Sequence, residues 1–442
     1  MRELRALVDG EVLEPGEPGY EAARRPALAE FRNIRPLAVV RCASAADVAA
    51  TLGFARRTGL PVAPRGGGHC FAGRSSTDGI LLDLSPLRSV TVTPDAVATV
   101  GAGARLADVY DGLDRHGLTL PAGCGADVGI AGLTLGGGLG LLGRRYGLTC
   151  DRLRAARVVL TDGRVVDCDA VHHPDLFWAL RGAGGGQFGV VTSLVFDAVR
   201  VPVATRFVLT WDAPAAAAVV AAWQDWAPDA PDEVSANLKV TPATVILFGL
   251  VLDAPSVARG RLDEFVGPVG MRPATSALAG MGYRELKGSL DDLGGGPAGP
   301  RGPAGPDPVQ VSRSEFVRRA LPADVVADLL DALGRDPVPG QQRELNFTPM
   351  GGAYNRVPAD ATAFVHRSER FLLEHVAVGA PDWVHRSHGI AHPWASGRVY
   401  QNFPDRNLTD WAEAYHGSNH ARLAGIKRAY DPQRALRFPQ SL

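Results

Sequence analysis

Hydrophobic positions along the first two hundred residues follow two rhythms. Short β-branched runs at 61–64, 80–84, 89–93 and 97–100 each close on Gly, Pro or Asp and predict strands. Elsewhere apolar residues recur at helical spacing. Ser44 with Asp47 three residues on supplies an N-cap and an acidic N3 position, predicting a helix that reaches about Arg57. A second, amphipathic helix is predicted over 105–116, with Gly117 at its C′ position. Runs at 157–160 and 164–168, joined by Thr161-Asp162-Gly163, predict a hairpin. A short helix over 175–180 follows Pro174, and 190–199 alternates as a strand does.

From about residue 205 the texture changes. Strand-like runs at 206–211, 233–240, 244–252, 343–348, 362–366 and 371–377 are separated by helical stretches near 213–226, 256–266 and 321–333. Strands in runs with segregated helices predict an α+β unit built on one antiparallel sheet. Residues 294–308, GGGPAGPRGPAGPDP, are low in complexity and are expected to form a mobile surface loop, because three collagen-like triplets are far too few for a triple helix. The tail from Tyr400 onward predicts two helices.

Composition narrows the picture by exclusion. A chain of 442 residues exceeds one hydrophobic core, so two domains are expected. With 46 Lys+Arg against 47 Asp+Glu the net charge is −1, which supplies no electrostatic reason to bind nucleic acid or an anionic membrane. The first twenty residues carry scattered charges and no apolar h-region, and no run approaches the roughly 20 apolar residues of a membrane helix. Five cysteines (42, 70, 124, 150 and 168) are odd in number and lack a CxxC pair. That argues against a disulfide framework and fits a cytoplasmic protein. A monomer or homodimer is expected.

Three glycine clusters carry the candidate chemistry. Arg65-Gly66-Gly67-Gly68-His69 follows a strand; Gly129 to Gly132 leads into Gly136-Gly137-Gly138; Gly182 to Gly189 follows a helix. Successive glycine amides can point at an anion, and the missing Cβ lets backbone approach a phosphate or a planar ring. Any one cluster alone reads as a flexible loop. Three in one domain, one ending in histidine, point to a large phosphorylated cofactor. A dinucleotide-binding βαβ motif is not formed, because no cluster combines strand, G-x-G-x-x-G, helix and a following acid.

In combination, VAPRGGGHCFAG (62–73), VGIAGLTLGGGLGLLGRRYGLTCDRL (128–153), DLFWALRGAGGGQFGVVTSL (175–194), YQNFPD (400–405) and YHGSNHARLAGIKRAYDPQRALRFPQS (415–441) resemble the FAD-linked oxidases of the berberine-bridge-enzyme-like group, within the vanillyl-alcohol-oxidase/p-cresol-methylhydroxylase superfamily. The resemblance implies an α+β protein. Residues 1–205 would form a two-subdomain FAD-binding domain, 206–394 a substrate domain whose antiparallel sheet is flanked by helices, and 395–442 a segment returning to the FAD domain. It implies FAD bonded through His69 and cradled by Arg65, Gly66, Gly67, Gly68 and Ser75. Further contacts are implied at Gly129, Gly132, Gly136 and Gly138, at Gly189 and Val190 beside the adenine, and at Asn402. A second bond through cysteine is not expected: Cys124 stands one place before the family's cysteine, and one residue along an extended segment reverses a side chain.

The chemistry implied is hydride removal from a small alcohol, lactol or natural-product intermediate, with O₂ as acceptor. Tyr400 matches the family's base, provided cations or hydrogen bonds lower its pKa. Its alternative is a core phenol bonded to backbone. Thr348 occupies the position of a second acid–base residue and cannot act unaided near neutral pH; Tyr354 would line the pocket instead. Val128 falls on the family's oxygen gate. A non-catalytic binding or resistance protein, or a dehydrogenase using another acceptor, are the rivals. His385, His388 and His392 lack a carboxylate at HExxH spacing, so no metal site is expected.

Overall fold

A computed structural model describes residues 1–290, 293, 309–336 and 338–442. The low-complexity run 294–308 lies outside the described residues.

Two sheets form the N-terminal body. The first, β1 (Glu11–Leu13), β2 (Ala38–Arg41), β3 (Val62–Arg65) and β4 (Ile80–Asp83), has spatial order β1-β2-β4-β3, with β4 parallel to both β2 and β3. All four residues of β4 are buried, as expected of a parallel strand covered on both faces. The second sheet comprises β5 (Val90–Val92), β6 (Val97–Gly101), β8 (Leu153–Val159), β9 (Val165–Cys168) and β10 (Val190–Asp197), in order β5-β6-β10-β8-β9. A small pair, β7 (Leu118–Thr119) with β11 (Val199–Arg200), closes the body.

The expected helix after Ser44 runs Ala45–Thr58: Ser44 Oγ accepts from the Asp47 amide at 3.2 Å, and the Asp47 carboxylate receives the amides of Asp9, Gly10 and Ala43. Leu423, Ile426 and Leu442 enter the same hydrophobic core, so the C-terminal tail packs back onto the first body.

The following chain folds into one seven-stranded antiparallel sheet. It contains β12 (Ala204–Asp212), β13 (Val234–Val240), β14 (Thr244–Val251), β15 (Thr275–Met281), β16 (Gln310–Val317), β17 (Gln342–Pro349) and β18 (Phe371–Val378), in order β15-β12-β14-β13-β17-β18-β16. Period-two alternation sorts its faces. Val234, Ala236, Leu238 and Val240 bury against helices Ala216–Trp226, Pro255–Val269, Ala323–Gly334 and Pro381–Ala391, whereas Ser235, Asn237 and Lys239 turn to the opposite face. The α+β expectation holds.

Residues 362–366 depart from the expected strand and form a buried loop. Phe364 and His366 pack under Tyr400 and Phe316, and Arg367 is locked to Asp151 at 2.6 Å. Local apolar alternation suited a strand, but these residues join no sheet among the described residues and are held by side-chain packing. β15, β16 and the helix Pro381–Ala391 went unpredicted; β16 begins at Gln310, directly after the low-complexity run.

Candidate active site

A cavity of about 800 Å³ lies between the N-terminal body and the uncovered face of the seven-stranded sheet, within the usual range for ligand pockets of about 300–1,000 Å³. Its floor is the loop after β3. Gly68 there has φ +75°, a left-handed conformation that glycine adopts freely. Arg65 does not face the cavity. Its guanidinium is buried and donates to the carbonyls of Ala23, Arg24 and Ser75 and to Ser76 Oγ, at 2.8–3.0 Å. Arg65 thus staples the loop from behind this cavity and borders the adjoining cleft instead, whereas Ser75, whose carbonyl accepts from Arg65, lines the cavity itself. The loop amides of Gly67, Gly68, His69, Cys70 and Phe71 find no acceptor among the described residues.

His69 sits on this wall. Burial holds its imidazole pKa below the ordinary value; the Asp127 charge opposes that, the Arg105 charge reinforces it, and a hydrogen bond to the Asp127 backbone also raises it. A neutral ring with a free lone pair results near pH 7. A larger cleft of about 1060 Å³, lined by charged residues that include Arg25, Arg32 and Arg105, shares His69. Gly66 and Gly67 border both, but the second and third glycine clusters and the tyrosines converge on the smaller one.

The second glycine cluster forms the inner wall. Val128, Gly129 and Gly132 line the cavity, as do Gly189 and Val190 from the start of β10. Gly136 and Gly138 lie behind it. A Cβ on Gly136 would strike Asn402 Oδ1, and one on Gly138 would strike Thr149 Oγ1. Cys124 is on the wall, its Sγ 3.9 Å from Nζ of buried Lys287, which also donates to the carbonyls of Ala122 and Gly123.

Tyr400 is buried at 2% exposure, with its hydroxyl oxygen accepting from the amides of Gly138 (3.0 Å) and Leu139 (3.1 Å) and from Asn402 Nδ2 (2.9 Å). Asn402 Nδ2 also donates to the Leu133 carbonyl, which fixes its amide orientation. Burial pushes the phenol up to about 12; the three donors pull it down but do not win. The depressed pKa expected of a tyrosine base is therefore not met by these surroundings. Tyr354 also borders the cavity, but its hydroxyl donates to the Gly140 carbonyl (2.7 Å) and accepts from the Gly140 amide (3.1 Å). It pins the glycine segment. Thr348 faces the cavity from β17.

The sheet supplies a residue that sequence reading missed. Glu374 on β18 lies opposite Asn346 on β17 and Ser314 on β16. It is 4% exposed, lines the cavity, and its Oε1 has no hydrogen-bond partner among the described residues. Burial raises its pKa to about 8, aided by the charge of Glu344; hydrogen bonds from Ser312 and Asn346 and the charge of Lys239 oppose it. Lys239 is already paired with Glu344 at 3.2 Å. A carboxyl poised near neutrality in a cleft is suited to proton transfer. The available signal was the single acid inside the apolar run FLLEHVAV, on the face opposite Leu373.

The cavity fits a large flat cofactor with an anionic end. Gly132 and Gly184 both line it, and a Cβ on either would meet nothing within 4 Å, leaving space that only backbone borders. The loop amides without a protein acceptor are donors available to an anionic end.

Comparison with known proteins agrees. A family described as FAD binding domain matches residues 36–169, and one described as berberine and berberine like matches 399–442. The uncharacterized FAD-linked oxidoreductase YgaK of Bacillus subtilis (strain 168) is 32% identical, over 99% of this chain and 98% of its own. Among solved structures, wild-type BBE-like 1 of Physcomitrella patens superposes with a TM-score of 0.91 at 27% identity, covering 100% of this chain and 98% of its own. A glucooligosaccharide oxidase of Acremonium strictum, whose structure concerns a 6-S-cysteinyl, 8α-N1-histidyl FAD, shares the fold at TM-score 0.87 and 24% identity, covering 99% and 98%.

Proposed function

The chain belongs to the berberine-bridge-like FAD-linked oxidoreductases, and from that premise we propose an oxidase that removes two electrons from a small alcohol or lactol and delivers them to O₂. Residues 1–205 with the tail 395–442 hold FAD, and 206–394 roof the substrate. FAD held there would supply the two-electron acceptor for the substrate's hydride, with O₂ as the final acceptor yielding H₂O₂.

The protein's own part is positioning and proton transfer. His69, neutral and oriented by Asp127, carries the covalent bond to the flavin; the histidyl link of the glucooligosaccharide oxidase is the precedent. Glu374 takes the substrate's hydroxyl proton on its unpartnered Oε1, the observation that carries the mechanism. Ser235, Asn237, Asn346 and Thr348 line the same roof and offer hydrogen bonds to a polyhydroxylated or polar substrate. Tyr400 keeps its proton and holds the Gly138–Leu139 amides in place.

Tyr400→Phe should therefore slow flavin reduction by about 10²-fold or less, below the full loss of a general base. It should also cost stability, since three N–H donors lose their acceptor at about 1–3 kcal/mol for a buried unsatisfied group. Stopped-flow reduction together with thermal melting reads both. A rate loss of 10³-fold with an unchanged melting point would return the base role to the tyrosine.

Val128 borders the cavity and is only partly buried. O₂ is small and apolar, so added bulk in a close-packed wall excludes it before a larger substrate on the other side is affected. Wild-type protein turning over an alcohol should release hydrogen peroxide, and Val128→Leu should slow flavin reoxidation far more than reduction. Wild-type reoxidation that is slow from the outset would identify a dehydrogenase with another acceptor.

A further inference from the structure

On the far face of the seven-stranded sheet, away from the cavity, four side chains converge. Glu315 on β16 and His375 on β18 point towards the helix Pro381–Ala391, whose His388, with His392 one turn beyond, points back. Glu315 Oε2 is 3.1 Å from His392 Nδ1 and 3.4 Å from His388 Nε2. These ligand atoms of Glu315, His388 and His392 all lie within 4.8 Å of one another. Glu315 Oε1 and His375 Nε2 face each other at 3.9 Å, too far to hydrogen-bond. Both are buried, and neither atom has a hydrogen-bond partner among the described residues.

We propose that Glu315, His375, His388 and His392 form a divalent-metal site of the zinc type, clipping the helix Pro381–Ala391 to the edge of the sheet.

The geometry matches the ion. A tetrahedral zinc with bonds of about 2.0–2.1 Å sets its ligand atoms about 3.3 Å apart; Glu315 Oε2 lies 3.1 Å from His392 Nδ1 and 3.4 Å from His388 Nε2, close to that edge, while His375 Nε2 stands 3.9 Å from the other carboxylate oxygen and completes the set by a small shift towards the ion. An ion at the centre satisfies the two orphaned atoms that a hydrogen-bond network leaves exposed to each other. His375 Nδ1 is bonded to Ser387 Oγ at 2.8 Å, which orients the ring so that Nε2 is the free nitrogen. His388 and His392, four residues apart, share a helix face, and their rings stack with centroids 5.0 Å apart. The His392 side chain is 57% exposed and gives the ion a route in. Arg313, two residues along β16, is paired with Asp405 at 2.6 Å, so its charge is compensated at the approach. Three imidazoles and one carboxylate select zinc over calcium or magnesium.

The sequence expectation did not consider this set because the carboxylate comes from a strand sixty or more residues before the histidines. The site also has a structural reach. Phe316, next to Glu315, donates its amide to the Arg398 carbonyl and accepts from the Ser396 amide, in the segment that leads to Tyr400.

The test uses the full flavin-loaded protein, stripped with a chelator, dialysed against Zn²⁺ and analysed for zinc per flavin by elemental mass spectrometry. One zinc per chain and a rise in melting temperature of several degrees on loading are expected. His392→Ala, at an exposed position where the fold is retained, should weaken zinc affinity at least about tenfold, as loss of supporting groups around a metal typically does. Co²⁺ in place of Zn²⁺ should give ligand-field bands in wild type that vanish in His388→Ala. Zinc below one-tenth per chain with an unmoved melting point, or stoichiometric zinc held equally tightly by His392→Ala and His388→Ala, would overturn the site.

Discussion

Glu374→Gln is expected to slow flavin reduction by substrate about 10²–10⁴-fold, the usual cost of deleting a general base, while leaving flavin content unchanged. Amide for carboxyl preserves shape and the contacts with Ser312 and Asn346, but removes the proton acceptor from the cavity roof. The wild-type pH profile carries the same signature. Glu374 must be ionised to act, and its pKa is pushed up to about 8, first by burial and then by Glu344. kcat/KM should rise with pH through about 8 and then level; in the glutamine variant that limb disappears.

Stability runs the other way. The folded pKa exceeds the value of about 4.3 for an unfolded glutamate, so the folded state holds an extra proton between those values, and stability from this group is lost as pH rises through about 8. The variant's melting temperature should be flatter over that range. A loss below tenfold, or an unaltered pH limb, would sink the role.

His69→Ala should convert a flavin that stays with acid-precipitated protein into one that is released wholly to the supernatant. The imidazole is the nucleophilic group that the loop after β3 holds neutral on the cavity wall, where burial depresses its pKa. Replacing it should remove the bond but leave the glycine loop and its acceptor-less amides in place. The variant should still bind FAD reversibly, with a fluorescence increase on precipitation that wild type lacks. Flavin mass retained on the variant's peptides would overturn the His69 bond and turn attention to Cys124, which borders the same cavity.

The two unpredicted side-chain groups, one in the cavity and one on the far face of the sheet, share one cause. Glycine clusters, the histidine after Arg65-Gly66-Gly67-Gly68 and the YQNFPD tyrosine are legible because their meaning is local: backbone freedom, a turn, a motif in order. Glu374 and the Glu315–histidine cluster are not local. Each depends on which face of which strand a residue occupies, and on what the sheet's order β13-β17-β18-β16 brings opposite it. Tyr400 shows the same limit in reverse. Its motif was recognised, yet its protonation was decided by burial against three donors from residues 138, 139 and 402.

The chain alone determined the α+β class and the family, and it singled out the glycine loop ending in His69, because hydrophobic period, turn chemistry and glycine spacing are set by neighbours in sequence. Tertiary structure decided that Arg65 turns away from the cavity, that residues 362–366 form a buried loop under Tyr400, and that an acid from β18 reaches the cavity. Those outcomes rest on desolvation and on non-local register. A carboxyl has an ordinary pKa until a sheet removes its water, and a strand offers one face or the other only once its partners are fixed.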